Sequence, residues 1–223
     1  GSSLTPRMLA LPRAALLAGP VALAFFAGGY GDRPRLVALA VAGVALAWAA
    51  AVSPARGSIL PGGTGPRLAV GGLIALATWV ALSRSWAPLD DVAADDAERL
   101  VLYAAALTTG ALAWRSRPAA RLVEPATALG ILLVTAYGLS GRLLPGIVEQ
   151  TASATAGGRF EQPLTYWNAS GLHAALGLVL FARIAGDRER PGWMRSAAVA
   201  AAVPLAAGTY LSFSRGALAA LAA

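Results

Sequence analysis

The chain has 223 residues, of which 57% are hydrophobic and 13% are charged. A soluble globular protein carries about 25% charged residues, so the composition excludes an ordinary soluble domain and favours a protein whose solvent is lipid. The chain has no cysteine and a single histidine, which excludes a disulfide framework, a thiolate metal site and a histidine-rich metal centre. We therefore expect neither a metal nor a cofactor.

Seven apolar runs that are nearly free of charge approach the roughly 20 residues that a helix needs to cross a bilayer. They cover approximately 14–30, 36–52, 68–82, 100–114, 122–139, 169–182 and 197–211. An eighth run begins at Gly216 and stops at Ala223, so we expect the N-terminal part of a longer protein. These runs predict an all-α fold: a polytopic transmembrane helix bundle of seven complete spans and a truncated eighth, in one integral membrane domain over residues 1–223.

The eighteen basic residues are all arginine, and against eleven acids they give a net charge of +7. A basic chain can bind nucleic acid. These arginines, however, lie in short clusters between the apolar runs, which is typical of membrane-flanking loops. We therefore expect membrane lipid, and not nucleic acid, as a partner.

Counting the arginines in alternate loops predicts the sidedness of the chain. One set of loops holds eleven, which are Arg7, Arg13, Arg56, Arg67, Arg115, Arg117, Arg121, Arg183, Arg188, Arg190 and Arg195. The other set holds seven, which are Arg33, Arg35, Arg84, Arg99, Arg142, Arg159 and Arg215. Because cytoplasmic loops carry the excess of positive charge, the N-terminus is predicted to be cytoplasmic.

Three of the predicted outer connections have distinctive sequences. The connection between the third and fourth runs carries five acids, which are Asp90, Asp91, Asp95, Asp96 and Glu98. The longest loop, 140–168, contains a Gly-Gly-Arg sequence and three aromatic residues, so it can hold a binding site. The tight connection 212–216 joins the seventh run to the eighth.

Two arginines on the predicted outer side are candidate ligands of an anion. Arg215 lies between two apolar runs, and Arg159 lies in the long outer loop. A guanidinium presents a rigid fork of donors that matches phosphate or carboxylate, so the two side chains together could hold a diphosphate. The alternative for Arg215 is that it only extends to the lipid headgroups.

A short segment at the start of the sixth run holds four further candidates. Tyr166 and Trp167 are candidate substrate contacts, or members of an interfacial aromatic belt. Asn168 is a candidate contact, or the N-cap of the following helix. His173 is a candidate contact or proton relay, or a neutral imidazole bonded to a neighbouring helix.

Two outer glutamates, Glu149 and Glu161, are candidate general bases, although most loop glutamates are only solvated. A P-loop is excluded because the chain has no lysine, and no HExxH sequence occurs. Nucleotide hydrolysis is therefore not expected.

Three segments resemble the O-antigen ligase and polymerase family of bacterial membrane proteins, and they occur in that family's order. They are GGRFEQPLTYWNASGLHAALGLVL at 157–180, LSFSRGALAALAA at 211–223 and, more weakly, SRSWAPLDDVAADDAERL at 83–100. The family often has an Asn-Pro-Asn-like entry to the sixth span, and of that pattern only Asn168 is present here.

The resemblance implies a metal-independent glycosyltransferase with a GT-C-like fold in the bacterial plasma membrane. Such an enzyme transfers a glycan from an undecaprenyl diphosphate carrier to a glycan or lipid acceptor on the outer face. Arg215 and Ser214 then correspond to the family's SRG sequence, and Arg159 to its GRF sequence. Both arginines would bind the carrier diphosphate, and Ser214 would be a substrate contact. The catalytic base is expected beyond Ala223.

Two other classes of function remain open. A transporter or flippase of an anionic lipid-linked substrate also needs many helices and anion-binding arginines, although broken helices or polar groups at mid-membrane would be expected. A structural membrane subunit would not need Arg159 and Arg215.

Overall fold

The computed structural model describes residues 7–52, 63–114 and 120–222. Within these ranges the chain forms eight α-helices and two short 3₁₀ turns, with no strand, so the predicted all-α class is confirmed. The helices are α1 Ala10–Ala24, α2 Asp32–Val52, α3 Thr64–Ser83, α4 Asp90–Ala113, α5 Val123–Leu143, α6 Trp167–Gly186, α7 Gly192–Leu211 and α8 Arg215–Ala222. Arg56, Arg115 and Arg117, which entered the sidedness prediction, lie outside the described residues.

Four of the described helices are long and apolar enough to cross a membrane, namely α2, α3, α5 and α6. The prediction of seven complete spans is wrong by this measure, because apolar runs alone overstate helix length and apolarity. Helix α1 has only 15 residues and includes Arg13. Helix α7 has 20 residues but includes Arg195 and Pro204. Helix α8 has 8 residues.

Helix α4 also differs from the prediction, because it begins ten residues before the apolar run that predicted it. Its first turns contain the five acids that the sequence placed in an outer loop. The helix therefore has a charged half and an apolar half, and the charged half excludes α4 from the candidate spans.

The chain folds as two compact units. Unit 1 comprises 1–19 and 29–120, and unit 2 comprises 20–28 and 121–223. The division falls within α1: its residues up to Gly19 belong to unit 1, and those from Pro20 onward belong to unit 2. The prediction of one integral membrane domain stays a prediction.

In unit 1, α4 packs against α2 and α3. A buried arginine of α2 also binds acids of α4. Arg35 is 3% exposed. Its Nε donates to Glu98 Oε2 at 2.9 Å, and its Nη2 donates to Asp95 Oδ1 at 2.5 Å. Because a buried cation is costly without a partner, Asp95 and Glu98 in the first half of α4 have a structural role.

The other end of unit 1 is held by hydrogen bonds to backbone carbonyls. Arg13 donates from Nε and Nη2 to the carbonyl oxygen of Ala113, at 3.0 and 2.8 Å. Ala113 is the last residue of α4, so the arginine satisfies a carbonyl that has no partner within its helix. Trp48 in α2 likewise donates from Nε1 to the carbonyl oxygen of Met8 at 2.8 Å.

Unit 2 is built around α6, which packs against α5, α7 and α8. Small residues allow this close approach, as is common between membrane helices. A Cβ added at Gly177 of α6 would lie 2.7 Å from Ile131 Cγ2 and 2.9 Å from Leu205 Cδ2. The apolar core around this contact includes Ala174 and Ile184.

Gly138 in α5 provides a test of this packing. A Cβ at Gly138 would lie 2.0 Å from the carbonyl oxygen of Gln162 and 2.7 Å from Phe160 Cε2. We expect Gly138→Ala to lower the free energy of unfolding by about 1–3 kcal/mol, because a backbone oxygen cannot move aside cheaply. Thermal unfolding of the protein in detergent measures the change.

Gly43→Ala in α2 is the matched control, since nothing lies within 4 Å of a Cβ at that position. Its melting temperature should be unchanged or slightly higher, because alanine favours the helix over glycine. Equal melting temperatures for the two variants would contradict the packing described here.

Candidate functional site

The candidate site lies at one end of unit 2, where α5 and α7 end and where α6 and α8 begin. We call this the site end. The amide of Phe160 in the loop 144–166 donates to the carbonyl oxygen of Leu211, the last residue of α7, at 2.9 Å. The hydroxyl of Ser170 in α6 donates to the carbonyl oxygen of Glu161 at 2.8 Å. These two bonds hold the loop between the start of α6 and the end of α7.

The turn between α7 and α8 is fixed by two buried serines. The Ser212 hydroxyl donates to the carbonyl oxygen of Thr209 at 2.7 Å and accepts from the amide of Ser214 at 3.2 Å. The Ser214 hydroxyl accepts from the amide of Ala217 at 3.2 Å, which makes Ser214 the N-cap of α8. A Cβ at Gly171 would lie 2.3 Å from Ser212 Oγ, so α6 passes very close to this turn.

The structure places both predicted arginines at the site end. Arg215 is the first residue of α8 and is exposed, and its side chain makes no hydrogen bond or ion pair within the described residues. Arg159 is exposed, and its Cζ lies 4.8 Å from the ring centroid of Trp167. The Arg159 side chain donates no hydrogen bond within the described residues, so its donors are available to a ligand.

A third arginine at the site end was not singled out from the sequence. Arg142 in the last turn of α5 donates from Nη2 to the carbonyl oxygen of Gly158 at 2.5 Å. Gly157 and Gly158 have φ values of 54° and 78°, a region in which glycine meets no steric penalty. Arg142 therefore fixes the turn that precedes Arg159. In the sequence, only the position of Arg142 in the predicted outer loop 140–168 indicates that it belongs to this site.

The aromatic segment at the start of α6 is ordered by its own contacts. The Asn168 Nδ2 donates to the Tyr166 hydroxyl at 2.8 Å, and the rings of Tyr166 and Trp167 lie 5.2 Å apart. The N-cap of α6 is Tyr166, without a side-chain cap bond, so the predicted cap role of Asn168 is wrong. Asn168 lies instead in the first turn and orients the tyrosine. Substrate contact by these three residues stays a prediction.

His173 lies on α6, further from the site end than the aromatic segment. Its Nε2 is buried and has no hydrogen-bond partner within the described residues. The predicted bond from this imidazole to a neighbouring helix is therefore not seen at Nε2, and contact with substrate stays a prediction.

The two candidate general bases have different surroundings. Glu161 is 2% exposed, and its carboxylate accepts from the amide and the hydroxyl of Ser153, at 2.5 and 2.7 Å. Glu149 is exposed. The carboxylate of Glu161 has a structural use, because it ties the beginning of the loop segment 153–161 to its end.

The opposite end of unit 2 has paired charges. Glu124 at the start of α5 lies 2.8 Å from Arg183 Nε and 2.8 Å from Arg190 Nη2. Arg190 also pairs with Asp187, and Arg121 with Glu189, at 3.2 and 2.7 Å. No carboxylate within the described residues pairs with Arg159 or Arg215. The arginines of unit 2 that have no carboxylate partner therefore include Arg159 and Arg215.

Backbone strain is also concentrated at the site end. Among the described residues, positive φ values occur at three residues other than glycine, with Ala27 at 54°, Thr165 at 60° and Phe213 at 50°. Thr165 precedes the aromatic segment, Phe213 lies in the turn before α8, and Ala27 adjoins Gly28, whose backbone approaches Leu164. Each costs on the order of 1–3 kcal/mol, and such strain clusters at functional sites.

No family model, no curated protein and no solved structure matches this chain. The resemblance to the O-antigen ligase and polymerase family therefore stays a prediction from the quoted segments. Within the described residues, no group of three or more histidine, aspartate or glutamate side chains is placed to hold a metal ion.

The bond between Ser153 and Glu161 can be tested by stability. Ser153→Ala leaves Oε2 of a buried carboxylate without its hydroxyl donor. We expect the free energy of unfolding to fall by about 1–3 kcal/mol, measured by thermal unfolding in detergent. Ser85→Ala, which removes an exposed hydroxyl bond to a backbone carbonyl, is the control and should have little effect. Equal losses would show that Glu161 does not hold the loop.

Proposed function

We propose that this protein is a membrane glycosyltransferase that transfers a glycan from an undecaprenyl diphosphate carrier to an acceptor on the outer face of the membrane. Four apolar helices support a membrane protein, and the three sequence segments quoted above support the family. The acceptor is a glycan or a lipid, and the reaction uses neither a metal nor a nucleotide sugar. The proposed location is the bacterial plasma membrane.

The observation that carries this proposal is the pair of exposed arginines at the site end, neither of which pairs with a carboxylate within the described residues. A cation near the bilayer is usually paired or functional. The acids of unit 2 that pair with arginine lie at the opposite end, so no carboxylate of the described residues competes with an anionic ligand for Arg159 and Arg215. A diphosphate offers several oxygens to two guanidinium forks.

The main requirement of the proposed reaction is stabilisation of the charge that develops on the leaving group. The acceptor hydroxyl attacks the anomeric carbon of the first sugar, the bond from that carbon to the diphosphate oxygen breaks, and the carrier diphosphate leaves. Negative charge grows on the leaving oxygen, where Arg159 and Arg215 would stabilise it. The Trp167 ring holds the guanidinium of Arg159 at this position, since its Cζ lies 4.8 Å from the ring centroid. Neither arginine takes up the proton of the hydroxyl, which must go to a separate base.

Binding of the carrier tests the proposal directly. We expect the protein in phosphatidylcholine nanodiscs to bind undecaprenyl diphosphate, and Arg159→Ala and Arg215→Ala each to weaken binding by about ten- to a hundredfold. Arg215→Lys should also bind less tightly, because an ammonium keeps the charge but loses the planar fork. Microscale thermophoresis or a tritiated carrier measures the dissociation constants.

Arg188→Ala is the control for charge alone, because Arg188 is exposed and lies in the connection between α6 and α7 at the opposite end of unit 2. Its affinity should equal that of the unmodified protein. If all three alanine variants bind equally well, the arginines are headgroup anchors and the glycosyltransferase proposal fails. Carrier binding accompanied by movement of the carrier between leaflets would favour the flippase instead.

The orientation that we propose places the N-terminus in the cytoplasm and the site end outside. The chain has no cysteine, so single cysteines can report sidedness. A cysteine replacing Phe213, which is exposed at the site end, should react in intact cells with a membrane-impermeant maleimide. A cysteine replacing Gly192, at the start of α7, should react only after the membrane is opened. The reverse pattern would contradict the orientation.

A further inference from the structure

Two exposed aromatic rings form a pair beside Arg215. Tyr210 is 65% exposed and Phe213 is 58% exposed. Their ring centroids lie 5.8 Å apart at an interplanar angle of 44°. Tyr210 is in the last turn of α7, and Phe213 is in the turn that leads to α8. The pair therefore presents an apolar surface close to a cation that has no carboxylate partner within the described residues.

The backbone at Phe213 is unfavourable for a residue of this size. Its φ of 50° lies in the left-handed region that suits glycine. The amide of Phe213 donates to the carbonyl oxygen of Tyr210, and the hydrogen bonds of Ser212 and Ser214 hold the turn in this conformation. Because the phenyl ring is largely exposed, burial of that ring does not offset the strain. Stability of the fold therefore does not account for an aromatic side chain here.

A membrane-interface belt is also a poor explanation for Phe213. Belts are made of tryptophan and tyrosine, whose polar atoms reach water while the ring stays in lipid. Phenylalanine has no polar atom, and Phe213 belongs to the loop beyond the end of α7. Covering an exposed ring in this position with an apolar surface of a ligand is favourable, because it removes the ring from water.

We propose that the Tyr210–Phe213 pair is the binding platform for the first sugar of the lipid-linked donor, the sugar that is joined directly to the diphosphate. This inference rests on the proposed function. One face of a pyranose ring presents C–H groups, and the electron-rich face of an aromatic ring attracts their partial positive charge. The sugar is bonded to the diphosphate, so a diphosphate on Arg215 brings the sugar to a ring two residues away along the chain.

Two probes separate the sugar from the rest of the carrier. They are undecaprenyl diphosphate and undecaprenyl diphosphate bearing a single N-acetylglucosamine, each titrated against the protein in phosphatidylcholine nanodiscs. We expect Phe213→Leu to weaken binding of the glycosylated probe by about three- to tenfold, the effect of losing one aromatic contact. Binding of the bare diphosphate carrier should be unchanged. Arg215→Ala should weaken binding of both probes.

Two further variants keep the test independent of folding. Phe213→Gly removes the ring and suits the positive φ, so its melting temperature should equal or exceed that of the unmodified protein while its affinity for the glycosylated probe falls. Phe213→Trp keeps an aromatic face and should retain that affinity. Trp193→Leu, which removes a 70% exposed ring near the start of α7, is the control and should bind both probes normally.

The outcomes distinguish the inference from the proposed function. If the unmodified protein binds neither probe, the proposed function fails and the inference fails with it. If both probes bind and Phe213→Leu changes neither affinity, the platform is wrong while the proposed function stands. If Phe213→Leu weakens both probes equally, the ring contacts the prenyl chain or the diphosphate, and the assignment to the sugar is overturned.

Discussion

The close approach of α6 to its neighbours is the constraint on which the rest of unit 2 depends. At Gly171 and Gly177 there is no room for a side chain, because Ser212 and Leu205 lie within contact distance of the helix backbone. Since α7 and the turn after it are held this near to α6, the amide of Phe160 can reach the carbonyl oxygen of Leu211. The residues on either side of these contacts, Arg159 among them, take their positions from helix packing.

Arginine has two roles in this protein, and the acceptors within reach of each guanidinium decide which one applies. Arg35 is buried between acids of α2 and α4, and Arg190 is held by Glu124 and Asp187. These side chains join helices, and their charge is neutralised locally. Arg159 and Arg215 have no such partner within the described residues, so their charge remains available to a ligand. Composition cannot separate the two roles, because each depends on which helix ends meet.

The helical class and the approximate positions of the helices could be predicted from the sequence, because apolar runs and breaks report them directly. The run 169–182 lies within α6, and 197–211 lies within α7. The start of α4 could not be predicted from the apolar run, since the run begins at Leu100 and the contacts of Asp95 and Glu98 with Arg35 join residues 60 or more positions apart. The number of candidate spans was overstated because Arg13, the acids of α4 and Arg195 were counted as flanks of the apolar runs, whereas they lie inside the helices α1, α4 and α7.

The candidate site could likewise be predicted only in part from the sequence. Arg215 could be predicted because it lies between two apolar runs, and Arg159 because it lies in the long outer loop. The contributions of Arg142 and Glu161 depend on hydrogen bonds to residues 16 and 8 positions away along the chain, which no local pattern encodes. The contact between the Arg159 guanidinium and the Trp167 ring has a consequence for fluorescence. An anion bound to Arg159 offsets the positive charge that lies over the indole, so in a variant in which the other five tryptophans are replaced the emission of Trp167 reports whether the anion site is occupied.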